Sequence, residues 1–481
     1  MTDFATLPTM PSIFGRMLKR KPVAGAADAA VDTLCAEAAA AAASRDFERA
    51  VRLYDQAIAL DPGRPEPHYK RGNSLKNLGL LDTAIAAYDR AIELKPDYAH
   101  AYCNRGTVQQ SLGLAAAALA SYDCAIALDE GDAMAHFNRA LLLQDGDRWD
   151  EALAGYDRAV AIDPGYADAQ YNRALARLYC GDFERGWEGY EWRWRNAQRL
   201  AIGEVRHFAA PLWLGDATLT GRRILLYGEG GLGDTLQFCR YARLCAALGA
   251  TVILEVQAAL VDLLGTLEGV SEIVAAGAPL PRIDYQCPLM SLPFAFKTTL
   301  ATIPSSTRYI AADPARTARW QSMLGSRSRP RIGLVWSGNP NNTIDQRRSV
   351  RLADWLPHLP RKYQFFSLQK SIRPCDREAL DGSSLIASFD EDSLDFDDTA
   401  AVCECMDLVI SVDTSLAHLS GALGSPVWIL LPFHPDWRWL RSGDTSPWYP
   451  TARLYRQRTA GDWTDVFERV AAALDRELPA A

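Results

Sequence analysis

Five tyrosines, Tyr54, Tyr88, Tyr122, Tyr156 and Tyr190, stand 34 residues apart. Other columns keep the same step: Ala57, Ala91, Ala125 and Ala159, and Ala50, Ala84, Ala118 and Ala152. Pro62, Pro96 and Pro164 close three units, with Glu130 in place of the proline in the third unit of the series; Gly79, Gly113 and Gly181 mark an inner turn that Asp147 fills once. Gly72 and Gly106 continue as Ala140 and Ala174. Ala84, Tyr88, Ala91 and Ile92 fall at i, i+4, i+7 and i+8, one face of a helix. The small residues let two helices approach, and the proline starts the next helix without wasting an N–H. A single helix pair cannot bury its own face, so the period predicts stacked units in an α-solenoid.

The spacing resembles the tetratricopeptide repeat (TPR) family, over five units beginning near residues 31, 65, 99, 133 and 167. In such arrays the first helices line a groove, where Lys70, Asn104, Asn138 and Asn172 form one column and Arg71, Arg105, Arg139 and Arg173 the next. An asparagine amide both donates to and accepts from an extended peptide. Asn104, Asn138 and Asn172 are therefore candidates for binding an acceptor protein, the alternative being bridges between neighbouring repeats. The fifth unit departs from the pattern: Gly186 and Arg193 replace the two alanines, within the run GWEGYEWRWR. Trp187, Tyr190 and Trp194 share a stripe that reads as a capping helix docked on the following domain.

Charge separates this segment from the rest. The net charge is −8; residues 1–30 carry +2, 31–200 carry −7 and 201–481 carry −3. An acidic recruiting arm disfavours nucleic acid and suits a protein partner. No apolar run reaches the ~18–20 residues that span a bilayer. Ten cysteines without C-x-x-C spacing read as buried free thiols, with no metal site. Residues 1–30 read as a flexible leader without a signal peptide; Ile13, Phe14 and Lys19–Lys21 are too short a patch for stable membrane insertion. The expected location is the cytoplasm.

After residue 200 strands alternate with helices. Ile224–Tyr227, Thr251–Val256, Glu272–Ala275 and Asp284–Gln286 form one expected series, with a helix over Asp234–Leu248. Ile332–Trp336, Gln364–Leu368, Leu408–Ser411 and Val427–Leu430 form a second. Two such series predict two Rossmann-like α/β domains, over 205–325 and 326–481, following repeats over 31–204. Gly228, Gly230 and Gly233 satisfy G-x-G-x-x-G, and Glu255 stands where a ribose-binding acid would sit, so an NAD site is one reading. Asp234, read as opening the helix, opposes it by placing negative charge where a pyrophosphate would lie, and excludes a Walker A loop. Asp413, Thr414 and Ser415 read as an N-cap cluster followed by His418; capping alone and a diphosphate site are equal readings. WSGNPNNTIDQRRSVRL, residues 336–352, offers Arg347 and Arg348 for phosphate or as a solvated loop.

Together the GLGD loop, WSGNP…RRS, FFSLQ (365–369) and DTSLAH…ALGSP resemble the heptosyltransferase-like branch of GT-B glycosyltransferases, over about residues 205–475. The resemblance implies a metal-independent, inverting transfer without a cofactor, the nucleotide-sugar being co-substrate. It implies Asp234 as general base and Arg347 or Arg348 on phosphate. It implies Gly231, Gly233, Trp336, Gly338, Asn339, Gln369, Asp413, Thr414, Ser415 and His418 on the donor. Fusion of TPR units to this branch resembles bacterial protein glycosyltransferases, including those that modify flagellin. The expected activity is sugar transfer to Ser/Thr of a protein held by the repeats; the alternative is a TPR scaffold with a degenerate GT-B half.

Overall fold

The computed structural model describes residues 24–196, 206–341, 345–389 and 394–478. The leader's Ile13, Phe14 and Lys19–Lys21 lie outside them. The chain forms two compact units, Met1–Pro164 and Gly165–Ala481. No described helix is long and apolar enough to cross a membrane.

Among the described residues the first unit is four helix pairs: α1 (Ala24–Ala43) with α2 (Phe47–Leu60), α3 (Pro65–Asn77) with α4 (Leu81–Leu94), α5 (Ala99–Ser111) with α6 (Ala115–Leu128), and α7 (Ala133–Asp145) with α8 (Trp149–Ile162). Helix α1 begins at Ala24, seven residues inside the expected leader, because an alanine-rich stretch is the strongest helix former. The second helix of each pair buries one Ala–Tyr–Ala set: Ala50, Tyr54 and Ala57 in α2, then the same columns in α4, α6 and α8. Gly79 and Gly113 turn with φ of 75° and 74°, and Arg45 and Asp147 hold the same left-handed position with φ of 63° and 59°. The arginine column joins successive pairs. Arg71 reaches Asp55 at 2.6 Å, Arg105 reaches Asp89 at 2.7 Å and Arg139 reaches Asp123 at 2.6 Å, each 16 residues back.

The second unit opens with the fifth pair, α9 (Ala167–Tyr179) and α10 (Phe183–Tyr190), and a 3-10 turn, Glu191–Arg195. Two wholly parallel sheets follow. The first holds β1 (Arg223–Tyr227), β2 (Thr251–Val256), β3 (Glu272–Ala275) and β4 (Tyr285–Pro288) in the order β3-β2-β1-β4. The second holds β5 (Arg331–Val335), β6 (Gln364–Ser367), β7 (Ile386–Ala387), β8 (Leu408–Val412), β9 (Val427–Leu431) and β10 (Ala452–Arg456) in the order β10-β9-β8-β5-β6-β7. β5, β8 and β9 are buried along their whole length, as strands covered on both faces must be. Two strands escape the sequence reading: β7 is two residues long, and β10, ARLYR, interleaves arginine with apolar residues. The expected helix over Asp234–Leu248 is broken, running Leu232–Phe238, a 3-10 turn at Cys239–Tyr241, then Ala242–Ala247.

Strand order reverses beside β1 in the first sheet and between β5 and β8 in the second. Loops leaving the strand C-termini at such reversals cannot cover one another and leave a crevice. The three segments singled out in the sequence leave β1, β5 and β8.

Candidate active site

The loop Gly228–Gly231 leads into the helix Leu232–Phe238. Asp234 is its third residue rather than its first, and reaches back to the helix start: its Oδ2 accepts from the Gly231 N–H at 2.8 Å, one half of a capping box whose other half a glycine cannot make. The Asp234 Oδ1 accepts from Arg438 Nη2 at 2.6 Å, and about a quarter of the side chain stays exposed. The crowded glycines are Gly228, where a Cβ would lie 2.8 Å from Thr235 Oγ1, Gly230, where it would press on the Asp234 carboxylate, and Gly233, where it would lie 2.8 Å from the His418 ring. Gly231, with no atom but Asp234 Oδ2 at 3.7 Å, is not crowded. The missing side chain at Gly233 lets the helix Leu232–Phe238 pack on the helix Ser415–Ala422, joining the ends of β1 and β8.

Arg438 is held on three sides, donating to Gln237 Oε1 at 2.9 Å, Asp436 Oδ1 at 2.7 Å and Asp234. Burial lowers its pKa, but Asp436 and Asp234 more than offset that and raise it above its ordinary value. His418 Nδ1 lies 2.9 Å from the Tyr449 hydroxyl, and its ring stacks on Trp439 with centroids 5.3 Å apart. Its Nε2 is 3.9 Å from Asp413 Oδ1, beyond hydrogen-bond length. Burial, then Arg438, Arg240 and Arg348, push the imidazole well below its usual range, so it is neutral at pH 7. Burial and Asp436 push the Asp413 carboxyl up to about 6, against the pull of Arg348. Arg348 donates from Nη1 to the Asp413 carbonyl at 2.8 Å, whereas Arg347 is exposed. Of the two arginines the sequence left open, Arg348 is the one at the cluster. Thr414 occupies the N-cap position of Ser415–Ala422 without a side-chain cap; its hydroxyl instead meets Ser411 Oγ at 3.1 Å. The expected N-cap cluster is thereby corrected. The helix start, with Ser415 half-buried, has no side-chain cap of its own.

Other expected donor residues serve the scaffold. Trp336 is fully buried in the core of the second sheet, among Leu334, Val350 and Trp355. Gln369 spends its amide on the loop after β5, accepting from the Trp336 and Ser337 N–H groups at 3.2 and 3.1 Å and donating to the Ser337 carbonyl at 2.9 Å. Gly338 makes room for Asp345 and Arg348, and Asn339 folds onto Asn341 N–H at 3.0 Å in a turn. Residues 342–344 of this loop lie outside the described residues. In the repeats, Asn104 donates to Tyr69 Oη at 3.0 Å and Asn73 Oδ1 at 2.8 Å, one repeat back; for this residue the bridging alternative describes its contacts. Asn138 makes a long contact, 4.0 Å, to Cys103 Sγ, and Asn172 donates to the Asp168 carbonyl of its own helix at 2.9 Å.

Sequence reading missed Arg438, Asp436, Arg240 and Tyr449. For Asp436, Arg438 and Tyr449 the signal is the run PDWRW…SPWYP, residues 435–450, whose density of tryptophan and arginine after a buried strand is unusual for a solvated loop; Arg240 lies outside that run, in the 3-10 turn Cys239–Tyr241.

Residues 43–79 and 77–113 match the TPR repeat family, and 103–167 match a second tetratricopeptide repeat family. The helix pairs there are tetratricopeptide repeats. Protein FlbA of Caulobacter vibrioides is 29% identical over 329 residues, covering 62% of this chain and 53% of that protein. The chain thus spans about half the length of this curated relative. Among solved structures, YrrB, described as a TPR protein with an unusual peptide-binding site, is 24% identical, with a TM-score of 0.30, over 38% of this chain and 100% of that one. PilF of Pseudomonas aeruginosa is 14% identical, with a TM-score of 0.34, over 37% of this chain and 83% of that one.

Proposed function

We propose that the protein is a nucleotide-sugar-dependent glycosyltransferase of GT-B type whose two sheets are Rossmann-like domains and whose TPR units recruit a protein acceptor. One observation carries the reading. The loops leaving β1, β5 and β8 converge on a single cluster in which a part-exposed carboxylate, Asp234, faces arginines and an uncapped helix start. In this reading an acceptor hydroxyl gives its proton to Asp234 as its oxygen bonds to the anomeric carbon. Each carboxylate oxygen has a second lone pair, so the Arg438 and Gly231 bonds leave an acceptor position open. The bond from that carbon to the donor phosphate breaks, and its electron pair leaves with the nucleoside diphosphate. In this reading Arg348 and the N–H groups at Ser415 offset that charge. Neutral His418 serves as a hydrogen-bonding group. A flagellin acceptor is the narrower form of the proposal, with which kinship to a protein named FlbA is compatible.

Calorimetry against UDP-, GDP-, ADP- and CMP-sugars, followed by transfer to Ser/Thr of a candidate acceptor, tests this. We expect one nucleotide to bind, and Asp234→Asn to keep that binding while lowering transfer by about 10²–10⁴-fold. Full transfer by Asp234→Asn would remove the base assignment. The scaffold alternative draws on Asp234 being bonded through both oxygens; it predicts partner binding with no nucleotide bound.

A further inference from the structure

The alanine column Ala57, Ala91, Ala125, Ala159 ends, after one more step of 34, in Arg193. The four alanines are fully buried, and so is the arginine. A guanidinium in a methyl's place is costly unless every donor is met. Here all five are. Nε and Nη2 donate to Glu229 Oε2 and Oε1 at 3.0 and 2.8 Å, a bidentate pair. Nη1 donates to Glu191 Oε1 at 2.7 Å and the Tyr190 carbonyl at 3.3 Å, and Nη2 also donates to Ser291 Oγ at 2.6 Å. Tyr190 and Trp194 face the guanidinium, ring centroids 4.7 and 4.4 Å away.

The partner Glu229 is the one residue of Gly228–Gly231 that has a side chain. Its carboxylate is 3% exposed. A glycine segment has the most conformational freedom to lose on ordering. An anchored side chain in its middle therefore decides where the flanking backbone lies. On the other side, Gln257 Nε2 donates to the Gly230 carbonyl at 3.0 Å, an exposed and uncharged hold.

We propose that Arg193 is a positioning residue of the candidate site. By clamping Glu229 it fixes the backbone that presents the Gly231 N–H to Asp234, so the last TPR register position sets the geometry of the glycine loop. The inference rests on the glycosyl-transfer reading for its kinetic arm; the clamp itself does not need it.

Hydrogen exchange on the full chain tests the clamp, comparing wild type with Glu229→Gln and with Arg193→Lys, which keeps a cation but not the fork. Amides of residues 228–236 should exchange at least about tenfold faster in Glu229→Gln, with the helix Thr464–Glu477 unchanged. Where a nucleotide-sugar turns over, kcat should fall by about tenfold with donor KM within about twofold, the mark of misplacement rather than lost binding. Should Glu229→Gln aggregate, Arg193→Lys is read by the same criteria. Exchange over 228–236 within about twofold of wild type, or a rise that is uniform over the second unit, overturns the clamp. If wild type binds no nucleotide-sugar, the glycosyl reading fails, while the exchange result still decides the clamp.

Discussion

At the residue scale, Asp413 is a carboxyl whose surroundings move its protonation toward neutral pH. Burial and Asp436 raise it to about 6, above its ordinary 3.8. The folded state therefore holds this proton more tightly than the unfolded chain does. Its contribution to stability is full below about pH 4 and is lost as pH rises through about 6. His418 acts with the opposite sign: held neutral in the fold, it costs stability as pH falls below its ordinary 6.5. Asp413→Asn, neutral at every pH, should exceed wild type in stability by on the order of 1–3 kcal/mol at pH 7.5 and lose most of that advantage by pH 4.5. Urea unfolding at the two pH values measures it, and an unchanged difference between them would show Asp413 to be ionised with ordinary ease. The same protonation removes negative charge beside the uncapped helix start. Nucleotide diphosphate affinity in wild type should thus rise as pH falls through 6, and Asp413→Asn should flatten that rise in a calorimetric series.

At the element scale, the repeat turns invite a direct test. Gly79 and Gly113 meet a left-handed turn without cost, while Arg45 holds the same conformation with a Cβ. Arg45→Gly should stabilise the first unit by up to about 1 kcal/mol after the glycine's extra unfolded-state entropy is subtracted. Thermal unfolding of the wild type and variant reads this; a lower midpoint in the variant would mean the arginine side chain holds the turn by contacts. The helix pairs were legible because the buried Ala–Tyr–Ala columns recur at 34 residues, so chance matches in one repeat are cancelled by the next. The strands β1, β2, β5, β8 and β9 were legible as apolar runs. The strand β10 was not, because its arginines lie along a sheet edge: Arg453 reaches Glu477, and Arg456 reaches the Gly443 carbonyl. Asp234 and His418 could be found from local motifs. The Arg438 that pairs with Asp234 is 204 residues away, and no local spacing encodes that meeting. The role of Asn104 was ambiguous for the same reason: an amide that suits a peptide suits Asn73 of the neighbouring helix equally well.

At the scale of the whole molecule, the break between units falls after Pro164, not near residue 204 where the periodicity stops. The fifth pair keeps the repeat register but packs as part of the α/β unit. Trp187 meets Trp437 at 5.2 Å and Phe238 at 6.4 Å between ring centroids, and Phe183 stacks on Trp448 at 6.0 Å. A chain begun at Gly165 should therefore yield a folded α/β unit. One begun at residue 205 uncovers those rings and leaves Glu229 without Arg193, a loss of about 3–5 kcal/mol for the broken buried pair alone. Expression of both, followed by unfolding in urea, should give a cooperative transition for the first and aggregation or a broad transition for the second. Equal stability of the two would show that the fifth pair is only adjacent.

That packing has a consequence during synthesis. The contacts within each of the first four helix pairs span a few dozen residues, so those pairs can close as they leave the ribosome. The helix Phe183–Tyr190 cannot: Trp187 must wait for Trp437, about 250 residues later, which at about 5–20 residues per second is tens of seconds. Through that interval a tryptophan–tyrosine stripe stands in water after the first four helix pairs have closed. The nascent chain should engage a holding chaperone there, between the emergence of Tyr190 and that of Trp448, and a pulse-labelled synthesis with chaperone capture would show the window opening and closing at those two lengths.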